Sequence, residues 1–99
     1  MSNGGKRVAW VTGGGSGIGE SGAAFLAADG WIVVVSGRRK EELDRVVANI
    51  AKKGGKAEAI ALDVSNKDNV NKAAEQILAK HGRIDLLVNS AGINVPKRS

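Results

Sequence analysis

The chain is 99 residues long, 42% hydrophobic and 25% charged, close to the average for a globular domain and enough for one core. It has no cysteine, which excludes disulfides and thiolate metal sites, and its net charge of +5 raises the question of nucleic acid. The distribution argues against that: Lys52, Lys53, Lys56, Lys67, Lys72 and Lys80 are spread over separate segments, and Trp10, Phe25 and Trp31 are too few for base-stacking platforms.

Met1-Ser2-Asn3-Gly4-Gly5-Lys6 is polar and reads as a loose tail. No long apolar segment follows it, so neither a secretory signal nor a membrane span is expected, and the cytoplasm is the default location. Val8 to Thr12 reads as a first strand. Thr12-Gly13-Gly14-Gly15-Ser16-Gly17-Ile18-Gly19 comes next and opens an Ala-rich helical stretch. Glycine suits a turn whose backbone angles are closed to other residues and whose bare main chain must approach phosphates. The helix behind it offers unpaired N–H groups and a positive dipole end to an anion. The generic pattern G-x-G-x-x-G fits only from Gly17 to Gly22, where the chain should already be helical, and that match is out of register.

Trp31 to Ser36 reads as a second strand. Near its end a dinucleotide fingerprint calls for an acid to hold the ribose 2′-hydroxyl or an Arg to hold a 2′-phosphate, and Ser36-Gly37-Arg38-Arg39 has no acid. A guanidinium can grip phosphate through two parallel hydrogen bonds. The plain alternative is a solvated basic turn of Arg38, Arg39 and Lys40 ahead of a helix. Leu43, Val46, Val47 and Ile50 follow at i, i+3, i+4 and i+7, as do Val70, Ala73, Ala74 and Ile77, giving two helices with one apolar face each. Between them lies a third strand, Ala57 to Leu62, followed by Asp63-Val64. Ser65 and Asp68 form a capping pair, which leaves Asp63 for a ligand. His81 ends the helical pattern, where a dipole contact fits better than metal ligation. Gly30, Gly54 and Gly82 stand where left-handed caps close the helices. Ile84 to Val88 reads as a fourth strand, followed by Asn89-Ser90-Ala91-Gly92.

This alternation predicts an α/β chain of the doubly wound Rossmann type: one partial domain over residues 1–99, a parallel sheet of order 3-2-1-4, and helices on both faces. No linker, low-complexity tract or metal cluster interrupts it.

The spacing T-G-x-x-x-G-I-G resembles that of the short-chain dehydrogenase/reductase family. The resemblance implies that Gly13, Gly15, Ser16, Gly17 and Ile18 lie along the phosphates and adjoining ribose of a nicotinamide dinucleotide, with Gly19 letting the helix pack on the sheet. Gly37 stands where NAD-preferring members carry Asp, and Arg38 with Arg39 points to NADP(H). NAD(H) is the alternative, because Ser16 stands where many NADP-dependent members carry Lys or Arg. Asp63 and Val64 correspond to the adenine contact, and Asn89, Ala91 and Gly92 to the segment beside the adenine ribose. Ser90 departs from the family's N-N-A-G at that segment.

The family's catalytic Ser and Tyr-x-x-x-Lys follow the region seen here, members run to about twice this length or more, and this sequence contains no tyrosine. The resemblance therefore implies the cofactor-binding half of a hydride-transferring enzyme, such as a 3-oxoacyl-type reductase. That half is inactive alone and has the C-terminal half as its partner. Two alternatives stand beside it: a non-catalytic nucleotide-binding module, or an interaction module that recruits a partner strand to the edge Leu86, Leu87 and Val88.

Overall fold

The computed structural model describes residues 6–13, 17–63 and 66–89. Strands and helices alternate as β1 (Val8–Thr12), α1 (Gly17–Ala28), β2 (Ile32–Gly37), α2 (Lys40–Lys52), β3 (Lys56–Ala61), α3 (Lys67–His81) and β4 (Leu86–Asn89). The four strands are parallel in the order β3-β2-β1-β4, as the sequence predicts. β1 and β2 read as nearly unbroken apolar runs because they are central, with helices on both faces. Every residue of β1, and β2 from Ile32 to Ser36, is buried.

Side-chain alternation along the strands splits the interior into two cores. Val11, Val33 and Val35 meet Ala23 and Ala27 of α1 and Leu43, Val46 and Ile50 of α2 on one face. Val8, Trp10, Ile32 and Val34 meet Ala73 and Ile77 of α3 on the other. The residues that predict each helix's apolar stripe are thus those that pack.

Gly30, Gly54 and Gly82 have φ of 96, 87 and 83°, the left-handed conformation expected after each helix. Gly55, next in line, is needed for a different reason. A Cβ there would lie 2.8 Å from Ile50 Cγ2 and 3.0 Å from Ala27 Cβ, so this crossing of α1, α2 and the start of β3 has no room for a side chain.

Several boundaries differ from the sequence reading. Strands β2 and β3 each run one residue out of phase with it, and Trp31 lies just before β2. The Trp31 indole leaves the sheet, donating from Nε1 to Asp29 Oδ2 at 3.3 Å, with the Arg7 guanidinium 5.6 Å from its ring centre. β4 begins at Leu86, because Asp85 turns both its main-chain N–H and its carboxylate to β1: it donates to the Val8 carbonyl and accepts from the Val8 N–H, each at 2.8 Å. The cap of α3 is Asn66 in place of Ser65. Asn66 Oδ1 accepts from the N–H groups of Asp68 and Asn69 at 2.9 and 3.3 Å. Ser65 lies outside the described residues, as do residues 1–5 of the expected tail.

Candidate functional site

All four strands run the same way, so the segments that follow them gather at one edge of the sheet. Thr12 is level with Ser36 on one side and Asn89 on the other, and Gly37 is level with Ala61. Gly13, Arg38 and Asp63 leave from this edge, and Asn89 ends β4 there. β1 feeds β2 on one side and receives β4 on the other, and such a switch point in an open parallel sheet opens a crevice at the carboxyl ends of the strands.

Hydrogen bonds fasten the departing segments to the sheet. Gly13 takes φ 75° and donates its N–H to the Ser36 carbonyl at 2.7 Å. Thr12 Oγ1 donates to the Val88 carbonyl at 3.3 Å, and the Leu62 N–H donates to the Gly37 carbonyl at 2.8 Å. Beneath them the Trp10 indole N–H donates to the buried Ser36 hydroxyl at 2.7 Å, a bond between adjacent strands that sequence reasoning misses.

The sequence-predicted site residues fall into three groups. Gly13, Arg38, Arg39 and Asp63 are at the strand ends, and the α1 residues Gly17, Ile18 and Gly19 begin the helix, with Gly19 buried. Asn89 is the last residue of β4. Gly15, Ser16, Val64, Ala91 and Gly92 lie outside the described residues.

Arg38 and Arg39 are exposed and form no ion pair with a described residue. Arg39 is the N-cap of α2 by its backbone alone, its carbonyl accepting from the N–H groups of Glu42 and Leu43. Gly37 has space beside it, since a Cβ there would meet only Leu43 Cδ2 at 3.6 Å. Asp63 is half-buried, and its carbonyl accepts the Asn66 N–H at 3.0 Å in the turn into α3.

Three features lay beyond sequence pattern. Arg45 of α2 reaches back to Glu20 of α1 with both terminal nitrogens, at 3.0 and 3.2 Å, and its Nη2 also donates to Glu42 at 2.9 Å. These bonds hold the Glu42 carboxyl below its ordinary range and raise the Arg45 guanidinium further above its own. His81, buried at the end of α3, pairs through Nε2 with Glu58 of β3 at 3.0 Å, and Lys80 approaches the same oxygen at 3.1 Å. A groove of about 300 Å³ lies between α1 and α2, away from the strand ends. No group of His, Cys, Asp and Glu that could hold a metal occurs among the described residues. No helix among them is long and apolar enough to cross a membrane.

The sheet order, the crossovers and the segments at the switch point define a Rossmann-type α/β protein. A family model described as short chain dehydrogenase matches residues 7–99, and the chain belongs to that family. Over 89 residues it is 43% identical to a short-chain dehydrogenase/reductase homolog of Bacillus subtilis, covering 89% of this chain and 82% of that one. It is 42% identical over 90 residues to the meso-2,3-butanediol dehydrogenase of Serratia marcescens, covering 91% of this chain and 35% of that one. A metagenomic short-chain oxidoreductase crystallised in complex with NADP superposes with a TM-score of 0.84 at 44% identity, over 88% of this chain and 39% of that one. The chain thus spans about a third of the length of most curated relatives it matches.

Proposed function

We propose that this chain is the dinucleotide-binding portion of a short-chain dehydrogenase/reductase that transfers hydride between NADP(H) and a carbonyl or alcohol substrate, and that it works in the cytoplasm. The observation that carries the reading is the corner at Gly13. There a left-handed glycine, bonded to the Ser36 carbonyl, leaves the central strand at the switch point and precedes a helix that opens at Gly17. Residues 1–99 form one domain in this reading.

Gly13, Gly15, Ser16, Gly17 and Ile18 line the pyrophosphate and adjoining ribose, and Gly19 brings the helix against the sheet. Arg38 and Arg39, exposed and in no ion pair among the described residues, hold the 2′-phosphate, which favours NADP(H) over NAD(H). Asp63 and Val64 meet the adenine, and Asn89, Ala91 and Gly92 the adenine ribose. The NADP carried by the metagenomic relative supports the same cofactor here. When bound, the nicotinamide supplies the hydride. The chain's own residues bind and orient the cofactor, while the proton donor and the substrate pocket come from the rest of the family fold.

The test is calorimetric titration with NADPH and NADH, paired with Gly17→Val, whose branched Cβ would intrude on the phosphates. Tighter binding of NADPH than NADH, lost in Gly17→Val with the fold retained, is expected. No binding of either dinucleotide overturns the reading. A stand-alone nucleotide-binding or interaction module is the second reading, favoured by the 82% coverage of the short Bacillus homolog and by the exposed Leu86 and Leu87 on the edge strand.

A further inference from the structure

Glu20 stands in the first turn of α1 and Glu42 in the first turn of α2, each a favourable place for a carboxylate at a helix's positive end. Glu20 is nonetheless an unfavourable neighbour for an incoming phosphate, because it is a negative charge one turn from the start of the helix. Arg45 answers it with a two-pronged contact at 3.0 and 3.2 Å, and shares its Nη2 with Glu42 at 2.9 Å. The bridge joins segments 25 positions apart in sequence. An isolated exposed ion pair contributes little, but a fork gripping one carboxylate while touching a second is a small network with fixed geometry.

Small and medium side chains make the contact between the two helices: Ala23 and Ala27 share a buried cluster with Leu43, Val46 and Ile50. A groove of about 300 Å³ opens beside that cluster over the C-terminal halves of the pair, with Ala24 and Ala27 facing Val46 and Ile50. At the N-terminal end the Arg45 fork adds a polar tie across the pair. The two N-termini carry the two halves of the dinucleotide site: the glycine turn leads into α1, and Arg38 and Arg39 lead into α2.

We propose that Arg45 is a positioning residue: by clamping Glu20 to α2 it holds the start of α1 and the Arg38–Arg39 turn at the separation that a 2′-phosphorylated dinucleotide requires, and so strengthens the preference for that cofactor over its unphosphorylated counterpart. This inference rests on the reading of the site given above. A dinucleotide without the 2′-phosphate gives the Arg38 and Arg39 guanidinium groups no phosphate to hold, so loss of the clamp penalises the phosphorylated form more.

The full chain and its Arg45→Met, Arg45→Lys and Lys80→Met variants would be titrated with NADPH and with NADH, with thermal unfolding followed in parallel. Arg45→Met is expected to weaken NADPH binding about three- to ten-fold and NADH binding less than about two-fold, the scale of a small exposed network. Arg45→Lys keeps the charge without the fork and should recover part of the loss. Lys80→Met removes an exposed contact to Glu58 on another face and should leave both affinities unchanged. Equal losses for the two dinucleotides, following a fall in the unfolding midpoint, would overturn the inference, as would unchanged NADPH binding. If Arg45→Met does not fold, Arg45→Lys decides alone: a lower NADPH-to-NADH preference supports the clamp, and an unchanged one overturns it. If the parent binds no NADPH, the reading of the site fails first and takes this inference with it, whereas a binding parent with indifferent Arg45 variants sinks the clamp alone.

Discussion

The main-chain N–H of Gly13 donates to the carbonyl of Ser36 at 2.7 Å. This bond makes the residue that leaves β1 part of the end of β2, so the glycine turn and the basic turn start from a single rigid corner. Loops placed this way keep their sequence freedom beyond the corner while their first residues are held by the sheet. The φ of 75° at Gly13 is what lets the chain turn there and still make the bond.

Arg38→Ala should weaken NADPH binding by about 1.5 to 3 kcal/mol, the range for hydrogen bonds to a charged group, and leave NADH binding nearly unchanged. Parallel titrations check it. Equal losses for the two cofactors would remove Arg38 from the 2′-phosphate.

Gly37→Asp should reverse the preference. A Cβ at Gly37 meets only Leu43 Cδ2, at an ordinary 3.6 Å, so the substitution fits the fold, and in the proposed site it would offer the ribose a carboxylate. The ratio of NADH to NADPH affinity should rise with little change in thermal midpoint, and a ratio that stays put would mean that this position does not face the ribose.

Gly55→Ala should destabilise the fold by about 1 to 3 kcal/mol, the usual cost of overpacking, because its Cβ would press on Ile50 Cγ2 and Ala27 Cβ. Urea unfolding measures the change. Gly22→Ala is the control: nothing lies within 4 Å of a Cβ there, and alanine favours the helix by about 1 kcal/mol.

Asp85 should make stability depend on acid. The Arg83 guanidinium, and after it the Val8 N–H, hold its carboxyl below the ordinary value. A depressed folded-state value means that the contribution is complete above the unfolded value and is lost as pH falls through the folded one. The midpoint difference between the parent and Asp85→Asn should therefore be constant near neutrality and shrink below about pH 4. A difference that persists undiminished in strong acid would refute the linkage.

The polypeptide alone should show no turnover with any carbonyl or alcohol, even with NADPH bound. Reduction of a carbonyl needs a general acid within reach of the developing alkoxide, and a sequence without tyrosine lacks the family's donor. Absorbance of NADPH followed with a panel of carbonyl substrates gives the answer, and sustained oxidation would show that another group supplies the proton.

The sequence displays the fold well because the determinants of these elements are local. Leu43, Val46 and Ile50 announce the buried stripe of α2 by spacing alone, and Gly30, Gly54 and Gly82 mark where helices must stop. Strand ends are less legible. Trp31 has the composition of a strand residue, yet its indole is drawn to Asp29 and Arg7. Asn66 replaces Ser65 as the cap because both have capping side chains, and only the backbone path selects one of them. The contacts of Arg45 with Glu20 and of His81 with Glu58 join segments 25 and 23 positions apart, across helix packing that no periodicity encodes.

The place of β1 in the sheet also orders events in time. It precedes the other three described strands, and its hydrogen bond from Val8 to Asp85 spans 77 positions. One flank of β1 therefore stays open until three crossovers have been made, and that bond closes a loop of 77 positions. Closing so long a loop costs entropy before any contact repays it, which slows folding relative to a chain of neighbouring hairpins. The bonds of Asp85 to Val8 are therefore expected to form late, so substitutions there should change the rate of unfolding more than the rate of folding, as chevron kinetics of Asp85→Asn would show.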